Sequence, residues 1–259
     1  MEEDLPWWLA TDYHGSRMTN IISQLDPCCI FYIAQVADDG GHFSEEKVIE
    51  AIEWHISEGV EIINCSFGLN RGSKALKDVV RKAKNKDIII MCSTSDEGEN
   101  RDKVWPAAFY TGNELNADKC DNVIPIVGCD KYGKPSHFSN EDSGRFYFYG
   151  EDIDASASVA GMLIDQDAVK GSSVATAMAT GIASLILACL KMVKSKTDEF
   201  NYFQNTAVVT TIFNLMLSNI GARGKKLVKA SLFFPVREEE LNDETTFKKR
   251  IRVSYNKIL

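Results

Sequence analysis

Apolar residues follow two alternating rhythms along the chain. From His14 to Leu25, Met18, Ile21, Ile22 and Leu25 recur at helical spacing and predict an amphipathic helix. Cys29 to Val36 is a continuous apolar run after Pro27, the pattern of a strand buried on both faces. Asp38-Asp39-Gly40-Gly41 breaks that run. Ser44 then caps a helix whose inner face is Val48, Ala51, Ile52, His55 and Ile56, and which Gly59 stops; Glu45 and Glu46 suit its positive end. The unit repeats: Val60–Cys65 predicts a strand, Lys74–Lys86 a helix, Asp87–Cys92 a strand, and Asn122–Cys129 a further strand. Alternation of this kind implies right-handed crossovers and a parallel sheet.

The second half is less regular. Residues 138–169 show no helical period and read as short strands and turns. Ser172–Met192 is the longest apolar helical pattern, rich in Ala, and predicts a helix buried on most sides. The character changes after Lys194. Residues 1–194 are therefore read as one α/β domain, and residues 195–259 as an appendage packed on it: a polar linker, a helix near 206–217, a Leu232-Phe233-Phe234-Pro235 segment and a charged tail holding Lys248-Lys249-Arg250.

Composition narrows the function. With 29 basic and 37 acidic side chains the net charge is −8, which argues against a nucleic-acid surface. The longest apolar stretch, Ile182–Leu190, is too short and too interrupted by Ser184 to span a bilayer, so no membrane partner is expected. The acidic start predicts no secretory leader. Seven cysteines, several inside apolar runs and none in a Cys-x-x-Cys pair, read as core hydrophobes of a reduced, intracellular (cytoplasmic) protein rather than as metal ligands or disulfides. No cofactor and no metal site is expected; for calcium, no Asp/Asn-rich loop matches an identifiable site, and the sequence does not decide its binding.

Ligand sites in parallel sheets lie beyond the carboxyl ends of the strands. Three candidates fall there: His14 at the start of the first helix, Asp96 after the strand 87–92, and Ser173 at the start of the apolar helix. Each alone has an ordinary structural role, as a helix end, a turn acid or a cap. Their order carries more. All four histidines precede Ser173, whereas α/β-hydrolases place His last, and the chymotrypsin order requires an all-β chain. The remaining arrangement, Asp, His, Ser on an α/β sheet, separates His from Ser by about 157 residues, close to the interval from His14 to Ser173.

At these residues the chain resembles the subtilisin-like serine proteases, or subtilases. His14-Gly15-Ser16-Arg17-Met18 is similar to the block around the family's catalytic base. Ile62-Ile63-Asn64-Cys65-Ser66-Phe67-Gly68 is similar to its Asn-x-Ser-x-Gly block. Gly171-Ser172-Ser173-Val174-Ala175-Thr176-Ala177 resembles its nucleophile block. Trp105-Pro106-Ala107, Val123–Cys129 and His137-Phe138-Ser139 follow in family order, and the divergent intracellular domains of fungi look nearest. The resemblance implies a three-layer α/β fold with a mainly parallel sheet and a buried helix carrying the nucleophile. It implies a serine endopeptidase with Ser173 as nucleophile and His14 as general base. Its substrate would be an extended polypeptide held between Gly40-Gly41 and Ser66-Phe67-Gly68 by strand addition.

Three departures qualify that expectation. The family's orienting acid stands on a strand about 32 residues before the base; thirteen residues precede His14 here, so that acid and strand are expected to be absent, with low activity and an exposed sheet edge as consequences. Asp96 stands where the family has the oxyanion-hole Asn, and an ionised Asp cannot donate. Ala177 replaces a Pro, while Thr94 and Ser95 replace smaller residues and narrow the specificity pocket. Two further readings remain open: a catalytically inactive peptide-binding or regulatory module on the same fold, and an unrelated α/β ligand-binding domain in which His14 and Ser173 lie far apart.

Overall fold

The computed structural model describes residues 13–38, 41–96, 103–110, 119–136, 144–153, 157–159, 162–164, 169–194, 205–218 and 227–232. The helices are α1 (His14–Leu25), α2 (Glu45–Glu58), α3 (Lys74–Asn85), α4 (Ser172–Lys194) and α5 (Asn205–Leu215). The strands are β1 (Ile62–Cys65), β2 (Ile89–Ser93), β3 (Val123–Cys129), β4 (Phe146–Tyr149), β5 (Ala157–Val159), β6 (Met162–Ile164), β7 (Leu217–Ser218) and β8 (Leu227–Val228). One six-stranded sheet has the order β1-β2-β3-β4-β8-β7. Its pairs from β1 to β8 are parallel, β7 closes it antiparallel, and β5 and β6 form a separate ribbon.

The helix ends follow local chemistry. The Ser44 side chain accepts the Lys47 N–H, and Gly59, at φ 68°, terminates α2 in the left-handed region open to a residue without Cβ. Ser73 caps α3 in the same way through the Leu76 N–H.

The strands are apolar on both faces because helices cover both. Ile89 and Met91 of β2 point toward α4, with Ile124 and Ile126 of β3 and Phe146 and Phe148 of β4. Ile90 and Cys92, one residue out of phase, join Val79, Val80 and Ala83 of α3 and Val48 and Ile52 of α2 on the other face. Burying a side chain of this size contributes about 1.5–3 kcal/mol. In α4, Ser172–Lys191 has a mean hydropathy of 1.9, enough by length and composition for a membrane span, yet 67% of that stretch is buried. It lies against β1 to β4, α1 and α5, so its apolar character is that of a core helix.

Two sequence expectations change. The described parts of 195–259 are not an appendage. β8 pairs with β4 in the main sheet, and Val209, Ile212 and Phe213 of α5 are buried against Phe146 and Phe148, with the Phe213 ring edge-on to both. The polar stretch after Lys194 interrupts the pattern without dividing the core. The run Cys29–Val36, in turn, forms no strand. Among the described residues it pairs with no strand of the sheet; Val36 packs against the cluster that holds Ile63 and Ile90, while Ile30 and Ile33 are 83% and 52% exposed. An apolar run supplies strand propensity but not the neighbouring edge that a strand requires.

Candidate active site

The site forms where α1 and α4 begin, beyond the carboxyl end of β1. The two helices pack closely. Met18, Ile21 and Ile22 bury against Val174 and Ala177, and a Cβ at Gly181 would meet the Leu25 Cβ at 2.8 Å. That approach sets His14, the first residue of α1, beside Ser173, in the first turn of α4.

Both side chains reach one acceptor. The Ser173 Oγ donates to the Ser66 carbonyl at 2.9 Å, and the His14 Nε2 lies 3.0 Å from the same oxygen. That oxygen accepts only, so Nε2 carries the proton in this arrangement. The Ser66 hydroxyl in turn donates to the Ser173 carbonyl at 2.9 Å and accepts from the Asn64 Nδ2 at 3.0 Å, while Thr180 donates to the Asn64 Oδ1 at 2.9 Å. Ser66, placed by the sequence in a substrate wall, is thus the hub of the site. Asn64 and Thr180, which the sequence did not single out, hold it. Asn64 stands inside the block that carried the resemblance, and Thr180 is one of few polar residues on the buried helix; those were their only signals.

Asp96 sits at the same helix start but contacts a different residue. Its carboxylate accepts the Ser172 backbone N–H, at 2.8 Å to one oxygen and 3.1 Å to the other, and the Ser172 hydroxyl at 2.9 Å. The Ser172 hydroxyl also lies 2.7 Å from the Thr94 carbonyl. Asp96 therefore occupies the positive end of α4 as a cap does. Gly171 makes this approach feasible: its φ is +128°, and a Cβ there would stand 2.8 Å from the Asp96 Oδ2. Gly128 and Gly150 crowd the same turn: a Cβ at Gly128 would stand 3.1 Å, and one at Gly150 2.7 Å, from the Gly171 carbonyl oxygen.

The walls flank these groups. Phe67 stacks on Phe43 with ring centroids 4.9 Å apart. Gly41, at φ 76°, lies in a tight turn closed by Gly41 N–H to the Asp38 carbonyl and Asp38 N–H to the His42 carbonyl, rather than on an open strand edge. Gly40 and His137-Phe138-Ser139 lie outside the described residues. Gly68 lies over Val104, and Leu69 exchanges two backbone hydrogen bonds with Trp105. Thr94 and Ser95 are buried, with the Thr94 hydroxyl bonded to the Ile126 carbonyl.

The cysteines are free, and Cys65, Cys92, Cys120, Cys129 and Cys189 are buried. Burial pushes the Cys92 thiol well up, with Cys65 adding to the effect, and raises Cys189 to about 11. Such thiols are packing groups, not nucleophiles. Among the described residues no group of three or more His, Cys, Asp or Glu is placed to hold a metal.

Comparison with known proteins agrees with this geometry. The family model for the subtilase family matches residues 12–232. The thermostable alkaline protease of Halalkalibacterium halodurans is 27% identical over 189 residues, covering 67% of this chain and 46% of that protein. Subtilisin of Bacillus pumilus is 27% identical over 190 residues, covering 67% and 62%. The chain thus spans about half to three-fifths of the length of these curated relatives. Among solved structures, the patellamide maturation protease PatA superposes with a TM-score of 0.65 at 21% identity, covering 88% of this chain and 86% of that one. The PatG macrocyclase in complex with peptide gives 0.51 at 21% identity, covering 67% and 48%. The fold is the three-layer subtilisin-like one, and the chain belongs to the subtilase family.

Proposed function

We propose that this chain is a serine endopeptidase domain that hydrolyses extended polypeptides through Ser173 and His14, slowly, and in a reducing compartment that suits its free cysteines. One observation carries the reading: the Ser173 hydroxyl and the His14 imidazole converge on the Ser66 carbonyl at the start of α4. Two groups 2.9 and 3.0 Å from one oxygen lie within about 6 Å of each other, and direct bonding between them requires the side chains to turn away from that carbonyl. In the reactive arrangement the His14 Nε2 is unprotonated and accepts the Ser173 proton as Oγ attacks the substrate carbonyl. A tetrahedral oxyanion forms at the positive end of α4. The imidazolium then protonates the leaving amine, and water repeats the sequence on the acyl-enzyme.

Two features slow this cycle. The proton on Nε2 must leave, or move to Nδ1, before His14 can act as base. The Asp96 carboxylate places negative charge where the oxyanion needs donors and occupies the Ser172 N–H. The substrate would lie over Gly41, Ser66, Phe67 and Gly68; the solved structure of the similar PatG macrocyclase is a complex with peptide.

Those same two features favour a second reading, a peptide-binding module that has ceased to cleave. A fluorophosphonate probe, which modifies only an activated serine, separates them. Slow, stoichiometric labelling that Ser173→Ala and His14→Ala abolish supports the peptidase. An unlabelled, folded chain that still binds peptide selects the module.

A further inference from the structure

The polar groups behind the site form one chain of hydrogen bonds, which runs from the interior of α4 through β1 and back to the first turn of α4. It starts at Thr180, whose Oγ1 lies 2.9 Å from the Asn64 Oδ1 and 2.8 Å from the Thr176 carbonyl. One hydroxyl proton serves one of them. The Thr176 carbonyl has the Thr180 backbone N–H as its helical partner. Among the described residues the Asn64 Oδ1 has, besides Thr180, only the Ser66 hydroxyl at 3.4 Å. The Thr180 proton therefore belongs to Asn64. The Asn64 Nδ2 then donates to the Ser66 Oγ at 3.0 Å, and the Ser66 hydroxyl is left to donate to the Ser173 carbonyl at 2.9 Å. That last bond fastens the segment after β1 to the nucleophile's own turn. The carbonyl of the same segment, that of Ser66, takes both the Ser173 Oγ and the His14 Nε2.

We propose that Thr180 is a positioning residue for the Ser173–His14 pair: through Asn64 and the Ser66 hydroxyl it holds the Ser66 carbonyl against both groups, and so keeps the His14 proton on Nε2. The inference rests on the reading of Ser173 and His14 as nucleophile and base, and adds to it a brake placed about two turns along α4 from the serine.

The chain of bonds is not what seats the helix. α4 is docked by its apolar face, where Ala175, Ala179, Ala183 and Ile186 bury against Ile89, Met91, Ile124 and Phe148. What the bonds set is the direction of the Ser66 hydroxyl. Without the Thr180 proton, the donor left for the Asn64 Oδ1 is that hydroxyl, 3.4 Å away as the amide stands and 3.0 Å if the amide turns over. Thr180 is 6% exposed, and Val in its place fills the same volume, so water does not substitute for the lost donor. The Ser173 carbonyl releases the Ser66 hydroxyl at little cost, because it keeps the Ala177 N–H as its helical partner. The Ser66 segment then comes away from the first turn of α4. The Ser173 hydroxyl turns to the His14 Nε2, which accepts it only with the imidazole proton on Nδ1. One hydrogen bond of this kind changes an equilibrium by a factor of about 2–12.

The test reads the His14 tautomer, which needs no turnover. The full 259-residue chain is prepared with 15N-labelled histidine, and the ring nitrogen shifts are recorded where the imidazole is neutral; His14→Gln assigns the signals. The wild-type proton is expected on Nε2. Thr180→Val should raise the ratio of Nδ1–H to Nε2–H about 2- to 12-fold, and Thr180→Ser, which keeps the hydroxyl, should restore the wild-type ratio. Ser66→Ala should raise the ratio as well, and Thr180→Val should add nothing to it, since both act through one hydroxyl. A wild-type proton on Nδ1, an unchanged ratio in folded Thr180→Val, or additive effects of the two substitutions would overturn the proposal. So would a shift in Thr180→Ser equal to that in Thr180→Val, which would assign the effect to packing. Melting temperatures report folding; where Thr180→Val does not fold, Ser66→Ala decides, a raised ratio supporting the proposal and an unchanged one sinking it. Fluorophosphonate labelling of the same samples judges the peptidase reading separately. A shifted ratio with no labelling in any variant removes that reading and leaves the positioning role, and labelling with an unshifted ratio does the reverse.

Discussion

The two sides of β1 are made of the same kind of residue and end differently. On one side Ile89-Ile90-Met91-Cys92 pairs in register with Ile62–Cys65 and is wholly buried. On the other, Ile30-Phe31-Tyr32-Ile33 is as rich in β-branched and aromatic residues, yet its side chains are exposed and, among the described residues, no strand pairs with its backbone. Strand propensity is a statement about fitting a half-buried pleated surface; among the described residues this run has no paired edge and forms no strand. The site straddles the two regimes. Ser173 stands on a helix held by a finished core. His14 stands on a helix whose far end leads into Cys29–Val36.

The finished side should be costly to damage. Phe213 is fully buried and lies edge-on to Phe146 and Phe148 at 5.3 and 5.1 Å. Phe213→Ala should therefore destabilise the chain by about 3–5 kcal/mol in a urea titration. A loss under about 1 kcal/mol, at the level of a surface substitution, would mean that α5 is a separable attachment and that the core ends at α4.

At the site itself, Asp96→Asn should move stability and reactivity in opposite directions. The carboxylate caps α4 through Ser172, so losing its charge should cost about 1 kcal/mol. The Asn oxygen can keep the Ser172 N–H while its amide becomes a donor beside Ser173. Fluorophosphonate labelling should then accelerate by up to about 10²-fold, the scale of one oxyanion donor. Slower labelling would show that Asp96 serves Ser173 mainly by holding the helix start in place.

The sequence was most legible where a signal is local. Ser44 and Gly59 mark the ends of α2 because a cap is a contact within three or four residues. β2 and β3 are runs too apolar to lie anywhere but in a covered sheet. His14 and Ser173 emerged from order along the chain. What stayed hidden depends on distant partners. The role of the Ser66 carbonyl belongs to the backbone and leaves no trace in residue type. The attachment of Asp96 to Ser172 rests on an approach that only the Gly171 conformation permits. β7 and β8 are two residues each, too short to show alternation, and Cys29–Val36 lacks the edge that its composition anticipates.

His55 tests what tethers the unpaired segment. Its Nε2 donates to the Tyr32 carbonyl, and its Nδ1 is buried without a partner. Burial lowers its pKa below the ordinary 6.5, with the Tyr32 bond pulling the other way. The unfolded chain therefore binds a proton that the folded chain resists. The contribution of His55 is fully present above about pH 6.5 and is lost as pH falls toward the depressed folded value. The melting temperature should decline through that window. His55→Gln, which can still donate to Tyr32, should flatten the decline; an unchanged slope would assign it to other groups.

The smallest effect is the sharpest check on the contrast across β1. Ile33 has the composition of a core residue, but at 52% exposure about half its surface already faces water. Ile33→Ser should therefore forfeit only part of the transfer energy of an isoleucine and leave no enclosed cavity. A loss of at most about 0.5–1 kcal/mol is expected, against several for a buried isoleucine. A loss of 2 kcal/mol or more, on the scale of a large-to-small core substitution, would mean that Ile33 is buried in solution. The difference between the two sides of β1 would then disappear.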